Sequence, residues 1–298
     1  MSKKDWIQFW AISLLWGSQY FWVKIALRET GPLTMTALRL LISICGIVIY
    51  HRIIRPPYPK KLPWLAFLFF GLFNLSVPLA LTAWSEKYIT SGMASILNST
   101  SPLFSMILSW IFLKEETFSP IRLVGLVVGF AGVVLLVMNK ATIGSDGFIL
   151  GAILMLSAAL SLAIAAVYAK RYATHLHYSV KALGQVMVGA AVALPASAAI
   201  EAPFTLPRLP QTWAAILIMA LLLTTIGANL LFSLINSVGP TRTMMISYVY
   251  PLVGVILGVA FLGEEPTWQF LSGGALIIGG VILANSRLKR TTPIQEPT

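Results

Sequence analysis

Ten apolar stretches, each about as long as a bilayer-crossing helix, follow one another along this 298-residue chain with only short loops between them. They cover approximately 5–27, 33–50, 63–84, 91–113, 120–138, 148–170, 180–200, 211–236, 239–262 and 267–286. A hydrocarbon core of about 30 Å takes roughly 20 apolar residues per helix. Barrel strands are about half that length and alternate in polarity, which these stretches do not. The expected fold is therefore an all-α integral membrane protein with almost no chain left for a soluble domain. Charged residues make up 10% of the chain, against about a quarter of a soluble domain.

The opening MSKKDWIQFWAISLLWG has the basic front of a signal peptide. It runs on into a full-length stretch holding Ser18, Gln19 and Lys24, without a small-residue cleavage pattern, so it reads as a retained first span. With the N-terminus in the cytoplasm, most basic loop residues fall inside and only Arg28, Lys87, Lys140 and Arg208 fall outside. Such an imbalance in short loops is what orients membrane proteins, and it predicts both termini cytoplasmic. The net charge of +11 is thereby assigned to topology and anionic lipid rather than to nucleic acid. A single cysteine, Cys45, excludes an intrachain disulfide. No nucleophile triad, phosphate loop or metal-ligand spacing is found, so no catalytic residue, metal or cofactor is expected.

The chain also repeats itself. SPLFSMILSWIFLKEE, from Ser101, lies over YPLVGVILGVAFLGEE, from Tyr250, 149 residues later, sharing the proline, five apolar residues and both glutamates. Half-chain duplication with five spans per copy makes the copies cross the membrane in opposite senses. The expected organisation is two inverted five-helix repeats, 1–140 and 147–290, with a flexible tail at 291–298. Inverted repeats are typical of secondary transporters, which bind substrate between the repeats and expose it alternately to each side.

LLWGSQYFWVKIAL at 14–27, TALRLL at 36–41 and the two repeated segments resemble the drug/metabolite transporter superfamily, in its EamA-type branch. The resemblance covers nearly the whole chain. It implies ten helices in a cytoplasmic membrane of bacterial type and export or facilitated diffusion of small metabolites, often amino acids. Sugar-phosphate and nucleotide-sugar exchangers share the fold and stay open as an alternative. A membrane scaffold or lipid-modifying enzyme is the reading from another class, and a monomer and a homodimer are both compatible with the sequence.

Helical spacing selects the candidate substrate contacts. In the fourth stretch Asn98 and Ser101 precede Pro102, and their repeat mates Ser247 and Tyr250 precede Pro251. A proline inside a helix removes a hydrogen bond, so Pro102 and Pro251 are expected as paired hinges around a cavity. Small residues at four-residue spacing below them are a packing signal. Trp16, Gln19 and Tyr20 in the first stretch, Asn74 and Trp84 in the third, Tyr168 in the sixth and Asn229 in the eighth complete the set. The aromatic members offer ring faces to an apolar or cationic solute. Lys24 and Arg39 lie near outer helix ends, where they either snorkel or make an electropositive outer vestibule for a carboxylate or phosphate. The glutamate pairs 115/116 and 264/265, at span ends, read as anchors for the next helix. All other acidic residues fall at span edges or in loops, which predicts facilitated diffusion rather than coupling through a midplane carboxylate.

Overall fold

The structure, a computed structural model, describes residues 2–55, 62–113, 120–137, 147–172, 178–202, 206–238, 243 and 246–285. Glu115, Glu116 and the 291–298 tail lie outside them. Every regular element among the described residues is helical. Seven helical stretches are long and apolar enough to cross a membrane, and two shorter apolar helices, Ile246–Leu262 and Trp268–Ala284, close the chain. Large apolar side chains such as Ile53, Leu65, Phe261 and Trp268 are exposed on the bundle surface. In water such a surface would aggregate; in a bilayer it faces lipid.

The first expected span is two helices, α1 (Lys3–Gly17) and α2 (Gln19–Ala26), separated at Ser18. Reciprocal bonds between Ser2 and Asp5 box its start. α3 (Pro32–Ile54) begins with proline in the first turn, where its missing N–H costs nothing. The third span is α4 (Trp64–Phe70), a π-helical stretch (Gly71–Ser76) and α5 (Val77–Ser85). The fourth is also divided, into α6 (Ser91–Asn98) and α7 (Ser101–Leu113). α8 (Pro120–Val137), α9 (Phe148–Tyr172) and α10 (Tyr178–Ile200) follow. The eighth span is α11 (Pro210–Leu217), a second π-helical stretch (Ile218–Ile226) and α12 (Gly227–Val238). α13 (Ile246–Leu262) and α14 (Trp268–Asn285) complete the order.

Helix packing obeys the 149-residue correspondence. α9 packs on α7 as α1 packs on α13, and α9 packs on α5 as α1 packs on α12. α3 against α10, α6 against α13 and α8 against α14 pair corresponding elements with each other. The π-helical stretches correspond as well. Ser76 donates to the Gly71 carbonyl at 2.6 Å, and its counterpart Thr225 donates to the Ala220 carbonyl at 3.0 Å. A π turn frees carbonyls from the regular ladder. Neighbouring helices collect them: Ser161 donates to the Phe73 carbonyl, Trp16 to Leu223 and Ser43 to Ala220.

The α8–α14 pair is a backbone contact made by glycine. A Cβ on Gly280 would sit 2.4 Å from the Gly129 nitrogen, and one on Gly125 would sit 2.3 Å from the Ala284 nitrogen. Small residues allow this approach, and dispersion then acts over the whole length of both helices. Gly125, Gly132, Gly273 and Gly280 are thus used between these two helices, whereas a Cβ on Gly274 would meet Ile96 and one on Gly279 nothing within 4 Å.

At the end expected to face outside, carboxylates close helix starts across the bundle. Glu201, after α10, accepts from the Leu33 and Thr34 amides at 2.9 and 2.8 Å and from the Thr34 hydroxyl. Glu264, after α13, accepts from the Ser91 and Gly92 amides at 2.6 and 3.0 Å. Glu29, after α2, accepts from the Arg208 and Leu209 amides. A helix start exposes unpaired N–H groups and positive potential, which an anion satisfies. Glu264 therefore anchors α6, a distant helix, rather than the helix that follows it.

Candidate functional site

The two divided spans meet at their breaks. Asn98, the last residue of α6, donates from Nδ2 to the Tyr20 hydroxyl at 2.7 Å, just past the Ser18 break. Tyr20 is fully buried. The Asn98 Oδ1 is buried without a hydrogen-bond partner.

The break in the fourth span follows from the NSTS sequence. Pro102 has no N–H for the Asn98 carbonyl, four residues back, and the Ser101 hydroxyl takes that carbonyl at 2.7 Å. Ser99 and Thr100 donate in the same way to Ile96 and Leu97 at 2.6 and 2.7 Å. Local bonds of this kind compete with the helix ladder and end it. Pro102 then lies in the first turn of α7, where proline is well tolerated. Pro251 differs: it is buried inside a continuous α13. The corresponding prolines thus have unequal surroundings, one beside a helix break and the other within a helix.

Arg39 lies three to four residues from Thr36 and Ser43 on α3 and is only 4% exposed. It does not reach the surface, which removes the snorkelling alternative for this residue. Its Nε donates to the Thr224 hydroxyl at 3.0 Å, one terminal nitrogen lies 3.3 Å from Gln19 Oε1, and the other is 3.9 Å from the Met219 sulfur. None of these partners carries charge. A guanidinium has five N–H groups, so donors remain and no anion among the described residues neutralises it.

Trp16 donates to the Leu223 carbonyl at 2.9 Å and meets the Tyr250 ring edge-on at 6.1 Å. Gly227 makes room for it: a Cβ there would lie 2.6 Å from the indole nitrogen. Asn229 donates to the Thr225 carbonyl at 2.7 Å, leaving its Oδ1 buried and unpartnered. Ser247 is half-buried at the start of α13. Trp16, Gln19, Tyr20, Arg39, Asn98, Asn229 and Tyr250 thus belong to one set of contacting helices around the two breaks and the second π-helical stretch.

Asn74, Trp84 and Tyr168 do not join that set through any hydrogen bond or ring contact among the described residues. Asn74 donates to Gln185 on α10 at 2.8 Å. Tyr168 stacks on Phe69 at 3.9 Å, inside an aromatic cluster with Phe70, Phe73 and Tyr172. Trp84 is half-buried on α5. Lys24 is half-buried, with its ammonium on the Glu86 carbonyl.

Sequence reasoning passed over Glu86 and Gln185. Glu86 follows the last residue of α5, a span edge by count, yet it is 1% exposed and neither carboxylate oxygen has a partner. Gln185 pairs with Asn74 across helices distant in sequence, a match that periodicity does not carry.

Tyr20→Phe should test the joint between the breaks. It strands the Asn98 amide and should cost about 1–3 kcal/mol, read as a lower thermal midpoint in detergent. Tyr20→Phe with Asn98→Leu should recover part of the loss, because no buried donor is then orphaned. A double variant less stable than the sum of the singles would refute the pairing.

Discontinuous membrane helices that carry unpaired polar groups recur at the binding sites of secondary transporters. The sequence profile of the EamA-like transporter family matches residues 6–138 and 149–286, and the chain belongs to that family. Its relatives include an uncharacterized transporter, YvbV, of Bacillus subtilis, 25% identical over 93% of this chain and 90% of that one. The uncharacterized inner membrane transporter YedA of Escherichia coli K12 is 27% identical over 92% of this chain and 88% of its own. An uncharacterized transporter of Archaeoglobus fulgidus is 26% identical over 96% and 99%. A protein crystal structure aligns over 95% of this chain and 97% of that one with a TM-score of 0.65 and 20% identity, a likeness of fold. The chain is thus a membrane transporter by family.

Proposed function

We propose that this transporter carries small metabolites, amino acids first among them, across the cytoplasmic membrane by alternating access between two inverted five-helix repeats. The observation that carries the substrate reading is the combination of charges and lone pairs around the breaks. Arg39 holds spare donors and an uncompensated positive charge, while Asn98 Oδ1 and Asn229 Oδ1 are acceptors without donors. A zwitterion supplies both complements: its carboxylate for the guanidinium and its ammonium for the amide oxygens. The Trp16–Tyr250 pair offers ring surface to the remaining side chain.

The exchanged helix contacts and the matching π-helical stretches support the inverted repeat. Broken helices at the contact between repeats support alternating access, since such breaks supply both binding groups and mobility. Amino-acid exchange in proteoliposomes is the test, with a radiolabelled panel spanning apolar, aromatic and charged side chains. Exchange of at least one amino acid, competed by others, is the expected result. Exchange of sugar phosphates or nucleotide sugars with none for any amino acid would replace the substrate class, since Arg39 would serve a phosphate equally well.

A further inference from the structure

Glu86 is the most buried carboxylate among the described residues. Both its oxygens lack hydrogen-bond partners. An ionised carboxylate cannot be held that way without a large desolvation cost, and the ordinary escape is protonation. The charged and titratable groups facing it come from two other elements. α2 brings Lys24, whose ammonium is engaged with the Glu86 backbone carbonyl, and Tyr20; the loop after α13 brings Glu264. On its own turn, Lys87 and Tyr88 are exposed. Burial raises the Glu86 pKa well above the carboxylate range, Lys24 draws it back, and Glu264 pushes it up again.

Glu264 itself sits in a built position. It accepts from the Ser91 and Gly92 amides at the start of α6, and Gly258 leaves space where a Cβ would meet its Oε2 at 2.3 Å. α6 ends at Asn98, so this carboxylate and the substrate-reading asparagine hold opposite ends of one short helix.

We infer that Glu86 is a proton-binding site that switches this end of the bundle between closed and open. Protonated, it is neutral and leaves Glu264 on the start of α6. Its O–H bond breaks heterolytically when water reaches it; the proton leaves to water and the electron pair stays on the carboxylate. The ionised Glu86 then requires hydration that the closed packing denies, and the nearby Lys24 ammonium, held on the Glu86 backbone carbonyl, offsets only part of that cost while Glu264 adds to it. The junction of α2, the α5–α6 turn and the α13–α14 loop opens in response. Opening of this end therefore releases a proton and makes transport sensitive to pH, a step that the positions of acidic residues along the chain did not predict.

The proton site is independent of the substrate, whereas its coupling rests on the transport reading, and the experiment separates the two. In proteoliposomes, dicyclohexylcarbodiimide, which adds to protonated carboxyls in apolar surroundings, should label Glu86 at neutral pH and less as pH rises. Peptide mass spectrometry should find Glu201 unlabelled. In the amino-acid exchange assay, the wild-type rate should vary with pH, approaching tenfold per unit for a one-proton step, and Glu86→Gln should flatten that dependence to less than about twofold. A Glu86 unlabelled at every pH, or a pH dependence unchanged in Glu86→Gln, overturns the inference. Should no amino acid exchange, the substrate proposal fails, and the labelling alone decides for or against the proton site.

Discussion

Arg39→Leu is expected to abolish most amino-acid exchange while leaving the thermal midpoint unchanged or higher. The guanidinium is buried in α3 with only Thr224, Gln19 and Met219 around it. Desolvating a charge that no anion repays is unfavourable, and a well-packed apolar replacement often restores stability. Exchange should move the other way. A hydrogen bond to a charged group contributes about 1.5–3 kcal/mol, which corresponds to a loss of roughly 10- to 100-fold in apparent affinity. Arg39→Lys should recover little of it, because a lysine lacks the planar fork that reaches Thr224 and Gln19 together. Exchange by Arg39→Leu at the wild-type rate would remove Arg39 from the site. A sharp drop in thermal midpoint would instead make it a structural residue.

Gly280→Val and Gly279→Val, neighbours in sequence, should differ sharply in their effect on stability. At Gly280 a Cβ would meet the Gly129 nitrogen at 2.4 Å and the Gly125 carbonyl at 2.6 Å. Both are backbone atoms in a helix and cannot turn aside. α8 and α14 must separate, giving up close packing along their contact, at an expected cost of about 3 kcal/mol or more. At Gly279 nothing lies within 4 Å of the same atom, so the change should be within about 0.5 kcal/mol of neutral, as for most surface sites. Fluorescence-detected gel filtration after heating reads both. Equal losses would show that the backbone contact between α8 and α14 does not set the stability of this pair.

The sequence made the helical character and the half-chain correspondence legible because both rest on local quantities, apolar length and residue identity at fixed spacing. The two helix breaks were half legible. NSTSP carries the hydroxyls and the proline that divide the fourth span, while the break at Ser18 lies beside Gly17, packed close against Val253, with the Ser18 hydroxyl turned to the Leu15 carbonyl. The π-helical stretches had no sequence signal, since their freed carbonyls are stabilised by side chains from other helices.

At the site, periodicity selected residues on inward faces but not the neighbour each face meets. Trp16, Tyr20 and Asn98 came together because α1, α2 and α6 share α13 as a neighbour. Tyr168, chosen by the same rule, stacks in an aromatic cluster elsewhere. Glu86 was passed over because distance along the chain made it an edge residue, whereas burial is set by what covers it in space.

The crosswise carboxylate caps also bear on how the protein is made. The start of α3 is completed by Glu201 and the start of α6 by Glu264, residues synthesised long after those helices leave the ribosome. The caps on these two helix starts in the first half of the chain are therefore completed only once the second half is in place. Taken alone, residues 1–140 lack the carboxylates that close the starts of α3 and α6.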